Sequence, residues 1–85
     1  MRYRAVFSKE VKHALRKLKK KDRSTFRRLQ RAIEKILEHP ELGKPLRYDL
    51  KHYRREPVGS FVLVYELHGD TVYFTDYRHH NIVYK

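Results

Sequence analysis

Eighty-five residues with 40% hydrophobic and 13% aromatic side chains suffice for one small core. They exclude a second, since so short a chain buries only about 60–65% of its unfolded surface. The absence of cysteine excludes a disulfide framework, thiolate metal sites and a cysteine nucleophile, and three glycines exclude a glycine-rich phosphate loop. Lys plus Arg outnumber Asp plus Glu by 21 to 10, a formal charge of +11 that attracts polyanions and departs from the balanced signs of a merely solvated surface.

In chain order, Tyr3, Ala5 and Phe7 alternate with Arg2, Arg4 and Val6, which predicts a strand. Ser8 suits an N-cap, with Glu10 in the first turn and Val11, Ala14, Leu15 and Leu18 as the apolar stripe of a helix from Lys9 to about Lys20. Asp22 or Ser24 caps a second helix whose Phe26, Leu29, Ile33, Ile36 and Leu37 share one face and which must stop before Pro40. The two helices form an antiparallel hairpin.

The segment from Pro40 to about Lys51 has turn chemistry, with Leu42, Leu46 and Leu50 as expected anchors. Tyr53 to about Glu56 is a short strand stopped or bulged by Pro57. Phe61 to Leu67 begins apolar on both faces, as a central strand does. His68, Gly69 and Asp70 turn the chain into a returning strand, Thr71 to Tyr77. The expected fold is α+β, in the order β-α-α-β-β-β: a small antiparallel sheet with the helical hairpin on one face, in one domain over residues 1–85. Val62 and Val64 then fall on the open face, as an expected docking surface. No run approaches the roughly 18 apolar residues of a membrane span, so a cytoplasmic protein is expected.

Chemistry concentrates in the C-terminal DYRHHNIVYK, where Arg78, His79, His80 and Tyr84 lie within seven residues. In an extended segment Arg78, His80 and Tyr84 share a face, and in a helix His80 and Tyr84 are i and i+4. His79 joins them under neither geometry, which favours His80. A second basic group, Arg47, Lys51, His52, Arg54 and Arg55, precedes the central strand. Antiparallel pairing would bring it beside the tail as a cationic cleft, with Tyr53, Tyr77 and Tyr84 as platforms for RNA bases.

Such a set suits metal-independent RNA cleavage, in which a 2′-OH attacks the adjacent phosphorus. The step needs a base, an acid and cations for the charged phosphorane. The plain alternatives are surface histidines, tyrosines that only fill strands, and a solvated helical Lys/Arg array. Two adjacent histidines without Cys or clustered carboxylates make a poor metal site, and neither a metal nor a cofactor is expected.

The chain resembles RelE-like messenger RNA interferases of the RelE/ParE toxin superfamily. The resemblance rests on Tyr3-Arg4-Ala5-Val6-Phe7-Ser8-Lys9, two helices, Pro45-Leu46-Arg47 with Tyr53-Arg54-Arg55, Gly59-Ser60-Phe61-Val62-Leu63-Val64-Tyr65-Glu66, and the ending RHHNIVY. It implies a toxin that cuts messenger in the ribosomal decoding site. It also implies a small acidic RelB-like antitoxin as partner, in a complex of two toxins with two antitoxins. Arg78 and Tyr84 match the family's late Arg and its Tyr six positions on. Arg47, Arg54 and Arg55 match its basic strand positions, and His80 sits at a basic or histidine position. The expected catalytic set is therefore Arg78, His80, Tyr84, Arg54 and Arg55, with Arg47, Lys51, His79 and Tyr53 as RNA contacts. This sequence departs from many relatives at Val62, where they carry arginine, and at Asn81, where one subgroup has aspartate. The rival expectations are a ParE-like gyrase poison without nuclease chemistry and a non-catalytic RNA-binding module.

Overall fold

The computed structural model of the protein describes residues 2–46 and 52–82. The expectations placed on Arg47, Leu50, Lys51 and Tyr84 lie outside the described residues.

Capping chemistry sets the helical layer. β1 (Arg4–Phe7) runs into Ser8, whose Oγ accepts from the Val11 amide at 3.2 Å and starts α1 (Lys9–Lys21). Asp22 alone separates α1 from α2 (Arg23–Glu38): its N–H donates to the Leu18 carbonyl, and its carboxylate accepts from the Thr25 amide at 3.1 Å. The hydrogen bonds from the Thr25 hydroxyl and amide hold that carboxyl below the usual carboxylate range. His39 leaves the helical region ahead of Pro40, as the ring of a following proline requires.

A 3₁₀ turn (Pro40–Leu42) then leads to β2 (Lys44–Pro45), β3 (Tyr53–Val58), β4 (Phe61–His68) and β5 (Thr71–His79), with a last 3₁₀ turn at His80–Ile82. The sheet order is β1-β5-β4-β3-β2. Two-residue turns join β3 to β4 and β4 to β5, and Gly59 and Gly69 take the left-handed φ values of +64° and +60° these turns need.

The α+β architecture is the one expected, with two differences: a fifth strand, β2, forms in the segment expected to be turn, and β1 pairs with β5 in parallel. β2, β3, β4 and β5 alternate in direction, so β1, parallel to β5, also runs parallel to β3. The other pairings are antiparallel.

The main core lies between the helices and one sheet face, where Val11, Leu29 and Ile36 meet Leu63, Tyr65 and Phe74. Each such side chain contributes about 1.5–3 kcal/mol of burial. Phe7 stacks on its register partner Phe74 with ring centroids 5.2 Å apart, closing the β1 side of that core.

Three expectations need correction. Pro57 does not stop the strand; β3 continues to Val58 in unbroken register with β4. The paired length of β2 reaches only Arg54 and Arg55, so Pro57 sits at a sheet edge, where its missing N–H costs no ladder bond. Leu42 is exposed rather than an anchor; the buried residues of that segment, among those described, are Pro40, Gly43 and Leu46. Val62 and Val64 do lie on the face away from the helices, but they are buried there with Leu46, and Tyr53 packs against them. That face carries a small second cluster instead of an open apolar patch.

Among the described residues no helix is long and apolar enough to cross a membrane.

Candidate active site

Arg78 reaches its position through a bulge. Val64 pairs with Asp76 and Tyr65 with Phe74, which leaves Thr75 as the extra residue of β5. The Thr75 hydroxyl donates to the Val64 carbonyl, and the Thr75 carbonyl accepts from the Ser8 hydroxyl at 2.9 Å. Strand alternation therefore inverts at this point. Val72 and Phe74 face the helices, and so does Tyr77, while Asp76 and Arg78 turn to the opposite face across from Val64 and Val62.

There the Arg78 guanidinium meets two carboxylates, Asp76 Oδ1 at 3.3 Å and Glu10 Oε2 at 3.5 Å. Arg55, opposite Val64 on β3, is exposed on the same face, and Tyr53 lies further along it, opposite Glu66. Arg78, Arg55 and Tyr53 are thus brought to one sheet face.

Arg54 is not. It points to the helical side, where Nη1 donates to the Gly43 carbonyl at 2.6 Å and to the Glu41 carbonyl at 3.2 Å. Its cross-strand partner Tyr65 is fully buried and holds the same turn, accepting from the Gly43 amide at 2.9 Å and donating to the Pro40 carbonyl. The packing is close. A Cβ on Gly43 would lie 2.6 Å from the Tyr65 hydroxyl and 2.8 Å from the Arg55 carbonyl. Arg54 thereby fixes backbone, and burial pushes the Tyr65 phenol up from its ordinary pKa.

The two histidines sit where β5 gives way to the last 3₁₀ turn. His79 lies opposite Phe61, edge-on to its ring at 5.5 Å, and Phe61 stacks on Tyr77 at 4.8 Å. His80 is exposed, with its ring 4.5 Å from that of His79. Its amide and its Nδ1 each lie 3.0 Å from the Ser60 carbonyl. A carbonyl only accepts, so Nδ1 donates this hydrogen bond and Nε2 is the ring nitrogen left without a part in it. The tail is neither extended nor α-helical at His80, and the structure joins His79 to His80, a pair the alternation arguments had separated.

Sequence reasoning passed over Glu10 and Asp76, the carboxylates on Arg78. Asp76, two residues away on the same strand, was within reach of a pairing argument; Glu10, 68 positions away, left no signal.

A helical hairpin thus lies over one face of a five-stranded sheet, and Arg55 and Arg78 lie on the other. Residues 5–84 match the family described as the ParE toxin of the type II toxin–antitoxin system, parDE, and the chain belongs to that family. It is a type II toxin, and membership implies a cognate antitoxin. A curated relative from Methanocaldococcus jannaschii, named "Putative toxin RelE4", is 35% identical over 74 residues, covering 84% of this chain and 79% of the relative. Among solved structures, the YoeB/ParE toxin from Agrobacterium tumefaciens superposes with a TM-score of 0.82 at 17% identity, covering 91% of this chain and 98% of that one. The YoeB dimer from Staphylococcus aureus gives 0.80 at 17% identity, with 94% and 99% covered. The fold expected from the sequence is the fold of these toxins.

Proposed function

We propose that this toxin is a ribosome-dependent, metal-independent endoribonuclease that cuts messenger RNA and thereby inhibits translation. The observation that carries the reading is the anchored His80 ring, whose Nδ1–H is fixed on Ser60 and whose Nε2 is left to act at an exposed site. In the proposed step a base takes the 2′-OH proton, the 2′-oxygen bonds to phosphorus, and the bond to the 5′-oxygen breaks. The leaving oxygen takes a proton from the acid, giving a 2′,3′-cyclic phosphate and a 5′-OH. His80 and Tyr84 form the proton-transfer pair. Arg78 and Arg55 stabilise the phosphorane, Arg54 positions the strand that carries Arg55, and Arg47, Lys51, His79 and Tyr53 hold the message. General acid–base catalysis of this kind contributes about 10²- to 10⁴-fold. An acidic RelB-like antitoxin neutralises the toxin, in a complex of two toxins with two antitoxins.

The test programs purified ribosomes with a defined message and maps 5′ ends. Cuts at a fixed codon position that survive chelator and fall by about 10²-fold or more in His80→Ala support the reading. An intact message rejects it. A second reading, a gyrase-binding toxin without nuclease chemistry, is favoured by the parDE description of the matched family and by the two carboxylates on Arg78. It predicts an intact message together with inhibited supercoiling.

A further inference from the structure

Arg28, Arg31 and Lys35 follow one another along α2 and are all exposed. None of them forms an ion pair among the described residues. They line a cleft against Glu56, Val58 and Gly59, the end of β3 and the turn into β4. Arg28 Nη1 lies 3.0 Å from where a Cβ on Gly59 would stand, so its guanidinium rests directly on the turn backbone.

From Arg28 the groove continues into a second cleft of about 270 Å³, lined by Ser60, Phe61 and Tyr77. Two features there point to a ligand. Phe61 is 37% exposed although its ring is stacked on Tyr77 and edged by His79. The Tyr77 hydroxyl is buried without a hydrogen-bond partner among the described residues, a costly state for a donor unless something else accepts from it. Burial also raises its pKa, which keeps the phenol protonated. The facing carboxylates are Glu56 in the first cleft and Asp22 in the second, the latter already engaged by Thr25. Ser60, in the same cleft wall, carries the carbonyl on which His80 is anchored.

We infer that the groove between α2 and the β3–β4 turn is a docking track for a single RNA strand leading to the histidine pair. Arg28, Arg31 and Lys35 take successive phosphates, one base stacks on Phe61, and the Tyr77 hydroxyl donates to that nucleotide. Cations with an aromatic ledge at their end are the combination that single-stranded nucleic acid requires. This inference rests on the RNA-directed reading above but assigns it a surface on the helical side, away from Arg55 and Arg78.

The test measures binding of the full chain to a labelled single-stranded 2′-O-methyl oligoribonucleotide, which cannot be cleaved, over a range of salt. Arg28→Ala with Arg31→Ala is compared with Lys17→Ala with Lys20→Ala, an equal loss of charge on α1. The track predicts that the arginine pair weakens binding about tenfold or more and shallows the log–log salt slope by about 1.4, two phosphates' worth. The lysine pair should change both much less. Phe61→Ala should weaken binding about 5- to 150-fold through lost stacking. Tyr77→Phe should weaken binding without lowering the thermal midpoint of the free protein.

Equal losses from the two charge pairs, no loss from the arginine pair, or tighter binding of duplex DNA than of the single strand would overturn the track. Ribosomal cleavage by the same proteins separates the two claims. Cleavage with unaltered binding in the arginine variant rejects the track alone; site-selective binding without cleavage rejects the nuclease alone.

Discussion

Glu10 reaches Arg78 from the first turn of α1, its Oε2 lying 3.5 Å from Nη2 across 68 positions of sequence. The contact exists because β1 ends at Phe7, so the outer edge of β5 beyond Phe74 meets the start of α1. A phosphate bound by Arg78 must compete with this carboxylate. Glu10→Gln should therefore raise affinity for single-stranded RNA several-fold at low salt, with the gain shrinking as salt screens it. Both partners are substantially exposed, so stability should change by less than about 0.5 kcal/mol. Unchanged affinity at low salt would show that Arg78 takes no part in binding.

Tyr65→Phe removes a hydroxyl that serves the Gly43 amide and the Pro40 carbonyl at a fully buried site. Leaving those backbone groups without their partner should cost about 1–3 kcal/mol in urea unfolding. Gly43→Ala, placed 2.6 Å from the same oxygen, should destabilise through overlap, not through backbone strain. Equal midpoints for the wild type and Tyr65→Phe would refute the clamp.

Alkaline stability follows from the same residue. Burial raises the pKa of Tyr65 and Tyr77 in the folded protein, so above pH 10 the unfolded chain has lost phenolic protons that the native chain keeps. The stabilisation is complete below about pH 10 and is lost as pH rises through the folded values. Melting temperatures should fall over that range, and Tyr65→Phe should flatten the fall; an identical slope in the variant would contradict it.

Glu66 gives the opposite sign. Its hydrogen bond with His68 is the largest of the influences holding its carboxyl below the usual glutamate value. That contribution is present above about pH 4.3 and disappears as pH falls through the lowered folded value. Glu66→Gln should make the acid limb of the stability curve shallower, as followed by circular dichroism.

Ser8→Ala should cost about 1 kcal/mol as a lost N-cap. It should also loosen the Thr75 bulge, whose carbonyl the Ser8 hydroxyl holds. Faster hydrogen exchange at residues 75–79 would report the second effect, which an ordinary capping loss would not produce.

The caps, the apolar stripes and the turn at Gly69 were legible because they are local. Ser8 serves Val11, Asp22 serves Thr25, and a proline restricts the residue before it. The same locality misled at Pro57, where composition shows the missing donor but not that β2 is too short to need it.

By itself the sequence determined both helices, four of the five strands, their order, the basic charge and the histidine-rich end, since each depends on neighbours within a helical turn or a strand alternation; β2, two residues long, depends on its pairing with β3. Tertiary structure alone decided which side each charge occupies. One inserted residue, Thr75, inverts the parity of β5, so that Arg78 leaves the face of Val72 and Phe74 and joins Val62. On β3, adjacent arginines are parted by simple alternation. Arg54 is spent on the carbonyls of Glu41 and Gly43, and Arg55 is left on the outer face. Strand register is set by pairing between distant segments, and a shift of one position moves a side chain through the whole thickness of the sheet.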